Sequence, residues 1–177
     1  LYVLDRSKLG RMQLGNGQVI QSFQATAPGS PGIWKLAYRS DPQGAVLYVW
    51  AGTDYLKAYR FTSSGMFNTT PFAQSPMIAY GHGGALSVSS NGSNSGTGIL
   101  WSSAARGNVE VGRGVLRAFD ASNVATELWN SGQNSTRDSV GNHAKFSIPT
   151  IANGKVYLAT FSMQLLVYRL LKAAAGV

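Results

Sequence analysis

His82 and His143 are the only imidazoles in the chain, and there is no cysteine. Metal ligation or proton transfer near neutral pH therefore falls to these two rings and to seven acidic side chains. Each histidine sits just ahead of a strand-like run, nine and ten residues before the pairs Asn91-Gly92 and Asn153-Gly154. The two neutral imidazoles, His82 and His143, with a carboxylate would hold a divalent metal such as zinc or calcium, and Asp138 is a further catalytic candidate. A water on that metal would lose its proton more readily and become a hydrolytic nucleophile. Without a metal, the same rings would serve as general bases while Arg106, Arg137 and Lys145 clamp an anionic substrate and Trp34 stacks on it. The plain alternative is that both histidines cap loops or bond backbone carbonyls, since no H-x-x-x-H spacing joins them.

Composition narrows the setting for this chemistry. Of 177 residues, 44% are apolar and only 12% charged, which supports a buried core and argues against disorder. The absence of cysteine excludes disulfides and thiolate catalysis. Fifteen Lys and Arg face seven Asp and Glu, a net charge of +8 that favours a small anionic ligand. The basic residues are scattered, so nucleic acid is not an expected partner. No apolar run approaches the roughly 18 residues of a membrane span, and the N-terminus lacks the order of a signal peptide. Leu1-Tyr2-Val3-Leu4 already reads as a strand, as if a longer chain had been cut there. Asn68-Thr69-Thr70, Asn91-Gly92-Ser93 and Asn134-Ser135-Thr136 match the glycosylation pattern, which asparagine-rich turns also produce freely.

The elements that must position these residues recur. Leu1-Tyr2-Val3-Leu4-Asp5, Leu56-Lys57-Ala58-Tyr59-Arg60, Leu116-Arg117-Ala118-Phe119-Asp120 and Leu165-Leu166-Val167-Tyr168-Arg169 share one pattern, their leucines 55, 60 and 49 residues apart. Ahead of the last three copies stand Val46-Leu47-Tyr48-Val49, Ile99-Leu100-Trp101 and Val156-Tyr157-Leu158. Residues 34–38, 85–88 and 145–148 precede those, and residues 19–24, 66–72 and 126–129 supply a weaker fourth strand. Four antiparallel strands per repeat of about 50 residues are the mark of a β-propeller blade. With strands lettered A to D outward, the chain reads CD, ABCD, ABCD, ABC, an all-β partial propeller of 13 strands, about three and a quarter blades. Residues 1–30 carry the C and D strands of a split blade, 31–77 and 78–132 are whole blades, and 133–177 carry strands A to C of another. Only residues 170–175 could form a helix. Trp101 and Trp129 fall in the repeat pattern and are expected to pack between blades; Trp34 and Trp50 are less regular.

Gly114-Val115-Leu116-Arg117-Ala118-Phe119-Asp120-Ala121 with Glu127-Leu128-Trp129, followed by Lys145-Phe146-Ser147-Ile148-Pro149-Thr150-Ile151-Ala152-Asn153-Gly154-Lys155-Val156-Tyr157, resembles the quinoprotein-type (PQQ-like) propeller repeat. Gly83-Gly84-Ala85-Leu86-Ser87-Val88-Ser89-Ser90-Asn91-Gly92 with Gly98-Ile99-Leu100-Trp101 is similar to the final blades of large bacterial propellers of that superfamily. The resemblance covers most of the chain and implies a fold more than an activity. Resembling dehydrogenases hold their quinone in a complete ring with a vicinal cysteine pair, a tryptophan floor and an acid-bound calcium. This chain has no cysteine and seven acids, so PQQ-dependent oxidation is not expected. Resembling proteins are mostly periplasmic or secreted.

An open arc of blades leaves apolar faces and sheet edges in water. The expected remedy is a two-fold homodimer that closes a six- or seven-bladed ring. The D–A and B–C loops would surround one channel mouth and bring His82 and His143 together there. Arg137, Asp138, Asn142, Lys145 and Asp54 are expected on that face. An insertion at residues 104–112 would add Arg106 and Glu110, with Arg113 behind. Two functions follow as expectations: a self-associating binding module, or a promiscuous hydrolase of esters or phosphate esters using His82, His143 and Asp138.

Overall fold

Runs rich in β-branched, aromatic and small apolar residues, bounded by glycine-containing turns, build the strands. In the computed structural model, residues 1–9, 15, 17–41, 44–107 and 112–171 are described, Asp41 by its backbone alone. Thirteen strands form four antiparallel sheets among these residues. The first sheet joins β1 (Tyr2–Leu4) and β2 (Val19–Ser22). The second runs in order β3 (Leu36–Asp41), β4 (Gly44–Trp50), β5 (Tyr55–Arg60) and β6 (Ala73–Ile78). The third is β7 (Ala85–Ser89), β8 (Ile99–Ala105), β9 (Gly114–Asp120) and β10 (Glu127–Asn130). The fourth is β11 (Thr150–Ala152), β12 (Lys155–Ala159) and β13 (Leu165–Arg169). The grouping of two, four, four and three strands is the one the repeat predicts. Helix is confined to a 3-10 turn at Arg6–Lys8 and to α1 (Ser135–Asp138) among the described residues. The helix envisaged at residues 170–175 falls largely outside them.

Strand β4 shows why the sheets stack in series. It is buried on both faces, so it reads as a continuous apolar run rather than an alternating one. Val46, Tyr48 and Trp50 join Leu86, Leu100 and Phe119 in a core between the second and third sheets. Leu47 and Val49 join Ala25 and Tyr59 on the side of the first sheet. A third core, with Leu116, Val140, Val156 and Leu158, lies between the third and fourth sheets, and Trp101 and Trp129 pack against it. Strand β3 meets β7, and β7 meets β11, so the first strands of the last three sheets are neighbours.

Side-chain hydrogen bonds latch the layers. The Tyr48 hydroxyl donates to the Ala121 carbonyl at 2.6 Å, Tyr59 to Ala25 at 2.8 Å and Tyr168 to Asp138 at 3.0 Å. Burial, followed by the nearby Asp54 and Asp138 carboxylates, pushes the Tyr59 and Tyr168 hydroxyls up to about 12, so both remain donors at neutral pH. The repeat leucines share a second device. The Leu56 amide donates to Ser75 Oγ and the Leu116 amide to Ser131 Oγ, both serines lying on the fourth-strand side.

Two strand expectations are corrected. The fourth strand of the second sheet is Ala73–Ile78, not residues 66–72. Phe61 pairs with Phe67 across a tight turn at Gly65, and Pro71, with no N–H to give, delays regular pairing until Ala73. Residues 145–148, expected as the first strand of the fourth sheet, instead fall in a turn closed by the Ser147 amide on the Ala144 carbonyl at 3.2 Å. The strand itself is Thr150–Ala152, after Pro149.

Candidate ligand cavity

Trp34 and Lys35 stand immediately before β3, His82 before β7, and His143 to Phe146 before β11. Because β3, β7 and β11 are neighbours, the loops entering them converge. A cavity of about 260 Å³ opens where they meet, lined by Trp34, Lys35, His82, His143, Lys145 and Phe146 among others. Among the described residues no acidic side chain lines it.

The His82 loop is pinned from below. Gly83 has φ +87°, and a Cβ there would lie 2.2 Å from the Trp50 carbonyl oxygen. The Gly84 amide donates to that same carbonyl at 3.2 Å. A Cβ on Gly84 would lie 2.6 Å from both Ser102 Oγ and the Trp50 ring, which are fully buried. Gly84→Ala is therefore expected to overpack this contact, destabilise the fold by about 1–3 kcal/mol and move the His82 loop. Chemical denaturation and the His82 ring resonances would show it, and unchanged values for both would refute the pinning.

The His143 loop is fixed by main-chain bonds. Its amide donates to the Gly112 carbonyl at 2.8 Å, and the Phe161 amide bonds the Asn142 carbonyl at 3.0 Å. Two residues on, the turn from Ala144 to Ser147 holds Phe146 at φ +65°. That left-handed position usually belongs to glycine, and a bulky side chain there costs of order 1–3 kcal/mol. The strained residue is nevertheless 58% exposed. Its ring lies 5.1 Å from Trp34 and 6.1 Å from His82, while Trp34 meets His82 edge-on at 5.5 Å.

The bonding of the two imidazoles assigns their protons. Nδ1 of His82 and Nδ1 of His143 are buried without a hydrogen-bond partner. An orphaned lone pair is tolerated better than an orphaned N–H, so the neutral rings carry their proton on Nε2, the accessible nitrogen. Burial first, then the Lys145 ammonium, holds His143 below the usual histidine range. Its folded value lies under its unfolded one, so this group's contribution to stability is complete above the unfolded pKa of about 6.5 and declines as pH falls toward the folded value. Titration of the His143 ring by NMR should give a pKa below 6.5. Lys145→Ala should raise it, and a value at or above 6.5 in the native protein would contradict the assignment.

The other expected site residues lie elsewhere. Asp138 is held by Arg137 through Nε and Nη2, both at 2.6 Å, and does not line the cavity. The Arg137 guanidinium keeps that carboxyl below its ordinary range. Arg106 lines an adjoining cavity of about 370 Å³ near Trp50 and Arg117. Asp54 is buried and accepts from the Ala27 and Tyr55 amides and from Lys57 Nζ, which gives it a structural task. Asn142 uses its backbone to fix the loop, Asn134 caps α1 through its side chain, and Glu110 lies outside the described residues. Lys35 and Phe146 were not singled out by sequence reasoning. The signal available for Phe146 was only its place beside Lys145 in an apparent strand.

Among the described residues no three His, Asp or Glu side chains come together to hold a metal ion. The histidines fit poorly for a second reason. A ligating imidazole almost always donates its other N–H to an acceptor, and neither Nδ1 has one. Among the described residues no helix is long and apolar enough to cross a membrane. No protein-family model, curated protein or solved structure matches the chain.

Proposed function

We propose that the chain is a segment of a β-propeller that works as a self-associating binding module, with the cavity at the strand entries as its ligand site. The serial stacking of the sheets carries this reading. Each sheet covers the apolar face of the next, but the two end sheets turn apolar residues outward: Tyr2, Leu4 and Ile20 on the first, Leu165 and Val167 on the fourth. A second copy related by a two-fold axis supplies the matching cover at both ends, first sheet against fourth. Light scattering on the purified chain should give twice the single-chain mass, and a single-chain mass across micromolar concentrations would overturn ring closure by a second copy.

A second reading, hydrolysis of esters or phosphate esters, is favoured by one observation, the meeting of both imidazoles in one cavity. Chromogenic esters and phosphate esters assayed with and without chelator would test it. Turnover that falls in both His82→Ala and His143→Ala supports hydrolysis, and inert protein leaves the binding module.

A further inference from the structure

We infer that the cavity is a receptor for small aromatic oxyanions. A flat ring lies against Trp34 and Phe146, while its carboxylate, phosphate or phosphonate group accepts hydrogen bonds from His82 and His143 beside the ammonium group of Lys35. The inference rests on the reading of this cavity as a ligand site. It does not depend on ring closure, because one chain supplies every one of those residues.

Four observations converge on this ligand. The first is charge: among the described residues the Lys35 ammonium lines the cavity and no carboxylate does, which favours an anion there. The second is donor polarity. With both Nδ1 atoms buried and unbonded, each ring offers an Nε2–H outward, and two such donors suit an oxyanion. The third is the aromatic wall of Trp34 and Phe146, whose rings lie 5.1 Å apart at 53°, enough to grip the edge and face of a flat body. The fourth is backbone strain. The turn holds Phe146 at φ +65° with its ring more than half exposed, so folding alone does not explain an aromatic residue there.

The same features disfavour other occupants. A sugar needs acceptors for its hydroxyl groups, and among the described residues no carboxylate or side-chain amide lines the cavity. A metal ion would meet two N–H groups rather than two lone pairs. A wholly apolar ligand would leave both imidazole donors without an acceptor.

Phenylphosphonate is the direct probe, because its carbon–phosphorus bond resists hydrolysis and binding is read apart from turnover. Calorimetric titration of the full chain should show one site per chain, with methylphosphonate, benzyl alcohol and benzylamine each binding at least tenfold more weakly. His82→Phe and His143→Phe keep a ring and remove the donor, and each should weaken binding by about tenfold or more. His82→Gln and His143→Gln keep a donor and should recover part of the loss. Trp34→Ala should weaken binding by roughly two- to tenfold. Absence of binding at several millimolar, equal or stronger binding of benzylamine, or indifference to both phenylalanine variants would each overturn the inference. Light scattering on the same samples separates its failure from that of self-association: a monomer that binds phenylphosphonate refutes only ring closure, and a dimer that does not refutes only the receptor.

Discussion

Replacing Asp54 with alanine is expected to destabilise the fold by about 3–5 kcal/mol, a large part of the 5–15 kcal/mol typical of a native protein. The carboxylate is 2% exposed and lies between β4 and β5. Oδ2 accepts from the Ala27 amide at 2.8 Å and from Lys57 Nζ at 2.7 Å, while Oδ1 accepts from the Tyr55 amide at 2.8 Å. The backbone carbonyl of the same residue receives Trp50 Nε1 at 3.0 Å and the Ala79 amide at 2.9 Å. One residue thus ties the segment after the first sheet, the β4–β5 turn and the end of β6. Alanine would strand two amides and an ammonium that is mostly shielded from water. Asparagine keeps one acceptor and should cost less, about 1–3 kcal/mol. Urea denaturation monitored by tryptophan fluorescence would measure both. A loss below 1 kcal/mol for Asp54→Ala would refute the structural role, and a drop in melting temperature of roughly 10 °C or more would support it.

The same residue shows where sequence reading stops. Asp54 was expected at the cavity because its place in a B–C loop is legible, but which backbone amides fold over it is not. Asp138 was paired with the histidines on the strength of its loop, and its contact with the adjacent Arg137 depends on rotamers that no spacing reveals. What was legible had a long period or a strong local signal. The leucines at positions 56, 116 and 165 mark equivalent strands because a repeated unit puts equivalent residues in the same register; Leu56 and Leu116 are buried, while Leu165 holds that place on an exposed face. Strand β4 was recognised by an apolar run that both neighbouring layers demand. His82 and His143 could be placed in one cavity from order alone, since each precedes the first strand of a unit. Phe146 was missed because a left-handed aromatic residue inside a β-branched-looking run contradicts local propensity. Such contradictions are expected where a site constrains the backbone.

Charging the outer face of the fourth sheet should abolish self-association. In β13, Leu166 and Tyr168 turn inward onto the third core, while Leu165 and Val167 turn outward, 66% and 51% exposed, opposite Ala159 and Tyr157 of β12. The two-residue period allows the outer pair to be changed without touching the inner one. Leu165→Glu with Val167→Glu should leave thermal stability nearly unchanged and raise the dimer dissociation constant by roughly 10⁵- to 10⁶-fold, taking roughly 2 kcal/mol for each of the four anchors, two at each desolvated junction. Tyr2→Lys with Leu4→Lys, on the exposed face of β1, should have the same effect from the other end. Mixing the two variants distinguishes first-against-fourth pairing from any contact of like with like. In the mixed dimer one junction is wholly native and the other opposes glutamates with lysines, so the two single-chain species should combine into a heterodimer visible by light scattering. If the fourth sheets instead paired with each other, the lysine variant would remain a dimer alone and the mixture would not exchange.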